Sequence, residues 1–191
     1  MITNNKVVDL TIEKCRQIFD GILTESPSSG IMQVVQLEYI RKHNLQAALF
    51  FDFPFPDMIW EVLSGVFSQH GDALYSVNID DFYAHSSGTH HAKDLLGGNY
   101  ICQPQKLMNI FEGFTFTNRI TASSDQRVLV LNKFSDFVIV IANEKVLEEI
   151  FQGYIKEPQA YLKDQIASGS IPSPDQKWVQ EIINYYSPVS F

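Results

Sequence analysis

The chain has 191 residues, with 22 acidic against 14 basic side chains and a formal charge of −8. A hydrophobic share of 45% with 13% aromatics excludes a disordered chain, and the length suits one well-buried domain over 1–191. The negative field repels nucleic-acid backbone and anionic membrane surfaces alike, so neither is an expected partner; a basic protein is.

The first residues lack the basic flank and long apolar run of a secretory signal. The longest apolar runs, 47–51 and 137–142, are too short to span a bilayer, and a cytoplasmic location is expected. Cys15 and Cys102 sit in apolar surroundings, where a reduced thiol behaves as a small hydrophobe, and two cysteines make no disulfide framework.

Taken in order, a helix is expected over 10–20, with Thr11 as cap and Leu10, Cys15, Ile18, Phe19 and Ile22 as its buried stripe. Residues 26–30 break the chain into a loop. Residues 31–41 fit a helix by spacing and a strand by their Val-Val and Tyr-Ile pairs, so both remain open. Residues 45–53 read as a strand with Ala47, Leu49, Phe51 and Phe53 on one face, ended by Pro54 and Pro56. Asp57 then caps a helix carrying Ile59, Val62, Leu63, Val66 and Phe67, stopped at His70-Gly71. A strand over 74–79 completes a crossover unit, right-handed if its two strands are parallel and share a sheet.

Residues 80–98 are polar and rich in histidine, with at most a short helix near 91–96. A strand over 100–103 follows, and Pro104 opens a helix that ends at Gly113. Extended segments over 114–120, 127–131 and 136–142, joined by short loops, imply an antiparallel meander. Apolar residues on both faces of 137–141 make that strand central and covered on both sides. A helix over 143–152 covers one side. A surface tail comes next, with a Gly/Ser/Pro linker at 168–174 and a final amphipathic helix over 178–186.

One internal similarity stands out. Residues 101–114 and 141–154 align without a gap, forty positions apart, around Leu-x-x-Ile-Phe-[Glu/Gln]-Gly-aromatic. Ile18-Phe19-Asp20-Gly21-Ile22 ends similarly. Each copy places an apolar pair just before a glycine suited to a left-handed helix stop, so Gly21, Gly113 and Gly153 share an architectural role. The intervening segments do not match, which argues against a repeat array.

The one cluster of metal-ligand types is Asp80, Asp81, His85, His90 and His91. Carboxylate with imidazole can hold zinc or another divalent transition metal, but adjacent His90 and His91 point to different sides in regular structure. No Gly-x-Ser-x-Gly elbow or phosphate loop is present, and a cysteine in an apolar strand should have a raised pKa and be inert. Asp80, Asp81, Phe82 and Tyr83, with Trp60, mix acidic and aromatic groups that suit a cationic protein surface. Phe55, held between two prolines, suits either core or the rim of a pocket.

The expected fold is α/β or α+β, a mixed sheet ending in a three-strand antiparallel meander with helices on both faces. No stretch matches a named family. The favoured function is an acidic cytoplasmic binding or inhibitory protein that neutralises a basic partner such as a toxin, with no cofactor. The alternative is a metal-dependent hydrolase using the Asp80 to His91 loop.

Overall fold

The computed structural model describes residues 8–25, 33–51, 57–71, 73–79, 100–104, 118–133, 137–151, 158–171 and 173–191. Its strands are β1 (Val8–Asp9), β2 (Leu23–Glu25), β3 (Gln33–Val35), β4 (Gln46–Phe51), β5 (Leu74–Asn78), β6 (Tyr100–Cys102), β7 (Arg119–Ser123), β8 (Leu129–Lys133) and β9 (Phe137–Ala142). The helices are α1 (Ile12–Phe19), α2 (Leu37–Lys42), α3 (Asp57–Gln69), α4 (Glu144–Phe151), α5 (Pro158–Ala167) and α6 (Ser173–Tyr186). The fold is mixed α and β, as expected.

Seven strands form one sheet in the order β1-β6-β5-β7-β8-β9-β4, and β2 pairs with β3 separately. Every ladder of the large sheet among the described residues is antiparallel, so the expected meander is β7-β8-β9. The parallel component of the expected mixed sheet reduces to one bridge, Ala47 to Ser190 on the outer side of β4. There Phe191 N donates to Ala47 O at 3.1 Å. The chain's last residues thus occupy part of an edge that would otherwise offer bare backbone groups. Four successive antiparallel pairings make β4 and β5 run the same way, with β9, β8 and β7 between them.

Strand alternation divides the interior into two cores. Ala47, Leu49, Val77, Ile120, Leu131, Ile139 and Ile141 face one layer, where α1, α2, α5 and α6 pack. Ala48, Leu74, Val130, Val138 and Val140 face the other, against α3 and α4. Helices therefore cover both faces, and β9 is buried on each of them. Cys15 lies in the first core and Cys102 in the second.

Thr11 caps α1 as expected, its hydroxyl accepting from Lys14 N at 3.2 Å. The open region 31–41 contains both elements, β3 followed by α2. Gly21 takes φ +71° past the end of α1, the left-handed stop anticipated for it. Gly113 and Gly153 lie outside the described residues. The second copy of the shared pattern does bury its apolar members, Leu147, Ile150 and Phe151.

The segment after α4 corrects the expectation of a surface tail. Leu162, Ile171, Val179, Ile182, Ile183 and Tyr186 are all buried in the first core. The expected linker narrows as well, because α6 begins at Ser173 rather than 178. Ser-Pro-Asp at 173–175 belongs to a helix start, where proline suits the first turn and aspartate suits the positive end of the dipole.

Gly71 joins α3 to β5 with φ +137°, and a side chain there would collide with Ser124 Oγ. Gly71→Ala should therefore cost more than about 1 kcal/mol, from strain and overlap together. Urea unfolding of Gly71→Ala and of Gly71→Ala with Ser124→Gly checks this. Part of the loss should return in the double variant, and an unaffected single variant would contradict the packing.

Candidate functional site

The residues singled out for chemistry or contact, Asp80, Asp81, Phe82, Tyr83, His85, His90 and His91, lie outside the described residues, as does Phe55. Their attachment point is described. Ile79 N donates to Asn118 O at 2.8 Å, which anchors the chain just before Asp80 to the start of β7. Among the described residues, no group of three or more His, Cys, Asp or Glu side chains could hold a metal ion.

Two polar constellations occupy opposite ends of the sheet. At the end where β5 finishes, β7 starts and β8 finishes, Ser76, Arg119, Thr121 and Asn132 are buried on the α3/α4 face. Arg119 Nε donates to Ser76 Oγ at 3.2 Å, and Nη2 donates to Ser76 O at 3.1 Å. The Ser76 and Thr121 hydroxyls are 3.1 Å apart. A buried guanidinium needs such bonds, since stripping its hydration is costly. Sequence reading missed this group. Asn132 falls in an expected loop and Thr121 just past the end of the strand expected over 114–120, so no local pattern brings them together with Ser76 and Arg119.

At the other end, the β7–β8 turn ties three helices together. Asp125 Oδ1 accepts from Ser123 Oγ at 2.6 Å and from Arg127 N at 3.0 Å, while Oδ2 lies 2.9 Å from His70 Nδ1 at the end of α3. Gln126, at φ +59°, sends Nε2 to Ile18 O of α1 at 2.7 Å and accepts the Tyr39 hydroxyl of α2 on its carbonyl at 2.7 Å. Arg127 Nη1 reaches His43 O at 3.1 Å, and the Tyr39 and His43 rings lie 4.4 Å apart.

An aspartate that orients an imidazole is one component of a general-base site. Here the neighbouring hydroxyls serve the turn instead. Ser123 is bonded to Asp125, and its oxygen accepts from Val128 N at 3.0 Å; Ser124 Oγ donates to the His70 carbonyl at 3.4 Å. The arrangement is a structural lock.

Asp125 titrates below the usual carboxylate range. Partial burial opposes ionisation, but the bonds from Ser123, Arg127 N and His70, with the His70 charge, outweigh it. A depressed carboxylate contributes stability above its unfolded pKa and loses it as pH falls through the folded value. The difference in urea midpoint between wild type and Asp125→Asn should therefore shrink as pH falls below the ordinary aspartate pKa of about 3.9 and through the lower folded value. A difference that stays constant across that window would contradict the ionised lock. Nearby, burial raises the Tyr39 hydroxyl.

Cys102 behaves as anticipated, burial pushing its thiol up to about 12. It is not a nucleophile at neutral pH. Among the described residues, no helix is long and apolar enough to cross a membrane.

The outer surface of α3 and α4 carries exposed Glu61, Glu144, Glu148 and Glu149, with Lys145 as its exposed cation among the described residues. No family model matches this chain, and no curated protein or solved structure matches it either.

Proposed function

We propose that the protein is an acidic binding or inhibitory protein of the cytoplasm that neutralises a basic protein partner such as a toxin. The observation that carries this reading is the distribution of charge. The net value is −8, and among the described residues of the α3/α4 surface four exposed glutamates stand against one lysine. Such a field accelerates encounter with a cationic protein. The locked state of the Asp125 turn and the inert Cys102 thiol support binding over catalysis. Asp80, Asp81, Phe82 and Tyr83 supply the contact in this reading, the acids steering and the aromatics anchoring.

The test is kinetic, using the partner recovered from the native host. Glu61→Gln with Glu148→Gln and Glu149→Gln should slow association several-fold at low salt and flatten its salt dependence. Asp80→Asn with Asp81→Asn should act in the same direction. Tyr83→Ala should speed dissociation instead. Association that ignores both salt and these changes would overturn the reading.

A further inference from the structure

Residues 186–191 pass from one core to the other around the outer edge of the sheet. Tyr186 and Val189 are buried in the first core, while Phe191 packs against the second, its ring 6.5 Å from that of Phe151 at the end of α4. Between them Ser190 bridges Ala47 on the outer side of β4, where Phe191 N donates to Ala47 O. Tyr186 is the fixed end of this crossing, since its hydroxyl accepts from Val35 N. Beyond it the ties are few. The Ser187 and Ser190 hydroxyls donate locally, to Asn184 O and Ser187 O. Among the described residues, the hold on the sheet is therefore the contact with Ala47 and the side chains of Val189 and Phe191. A segment held in this way opens locally at far lower cost than the whole fold.

The edge beneath is one that invites pairing. Alternate residues of an antiparallel strand turn their backbone groups to the neighbour, so with Ala47 O pointing outward, Leu49 and Phe51 also turn theirs away from β9. β4 reads Gln-Ala-Ala-Leu-Phe-Phe, without charge, proline or glycine, the composition of strands that pair with their own copies. The opposite edge, β1, is only 2 residues long and offers no such template. We propose that residues 187–191 are a releasable strap over the β4 edge, and that its release lets β4 pair antiparallel with β4 of a second copy of this chain. An uncharged strand meets its copy without repulsion, and pairing about a two-fold axis satisfies both edges at once. With the strap in place Ala47, Ala48 and Leu49 are fully buried, so pairing follows release. The strap thereby gates self-association, weakening it by the fraction of molecules in which it is open.

Phe191→Pro removes both the N–H that reaches Ala47 and the ring, and Ser190, at φ −75° and ψ 144°, already has the backbone that a following proline requires. In sedimentation velocity over a concentration series, Phe191→Pro should self-associate at least about tenfold more tightly than wild type. The Leu49 amide should gain protection from hydrogen exchange as the dimer forms. Adding Gln46→Lys to Phe191→Pro charges the edge and should restore wild-type behaviour. The wild-type chain gives a readout that needs no variant: the Phe191 amide should exchange faster than the amides of β9, with a much smaller dependence on denaturant. A Phe191→Pro chain that associates no more than wild type, association without Leu49 protection or unmoved by Gln46→Lys, or a Phe191 amide that exchanges only through global unfolding would overturn the proposal.

Discussion

Replacing Ile139 by alanine is expected to destabilise the protein by about 2–5 kcal/mol. Ile139 is fully buried and sits in β9 with Leu131 opposite it on β8 and Leu49 opposite it on β4. Its side chain enters the first core, while its neighbours Val138 and Val140 enter the second. Both ladders hold the backbone in place, so the cavity left by a smaller side chain has little room to collapse. Urea unfolding measures the loss. A value near zero would remove this strand from the core.

Tyr186→Phe is expected to cost about 1–3 kcal/mol, because it leaves a buried backbone donor without its acceptor. The N–H and C=O of Val35 are taken by two hydroxyls of α6: Val35 N donates to Tyr186 Oη at 2.9 Å, and Tyr185 Oη donates to Val35 O at 3.2 Å. The helix thereby covers an edge of the small β2–β3 sheet, which at three residues a strand would be marginal alone. Burial raises both hydroxyls, so the clamp stays neutral at physiological pH. Tyr185→Phe should cost less, its side chain being only partly buried. Unfolding midpoints and hydrogen exchange at the Val35 amide check both. An unchanged Tyr186→Phe variant with a protected amide would contradict the clamp.

The meander and the two-sided burial of β9 were legible because Phe-Val-Ile-Val-Ile admits few arrangements other than a covered central strand. α3 was legible by its spacing. α5 was not, since Leu162 and Ile166, one helical turn apart, form too short an apolar stripe among polar neighbours to declare a helix, and the burial of Leu162 is decided by what packs over it. The strand boundaries around Ser123 and Asn132 were misplaced for a related reason. Polar residues there read as loop, while the structure uses Ser123 to lock a turn and buries Asn132 within β8. The His70 and Asp125 pair is separated by 55 positions in the chain. No local pattern could have joined them.

Affinity recovery of the tagged chain from its native host, with mass spectrometry and transition-metal analysis of the same sample, tests the proposed binding function most directly. The expected result is a stoichiometric basic protein that is released by salt, with no stoichiometric metal. Recovery of the chain without a protein partner and with one equivalent of zinc, iron or manganese would contradict it.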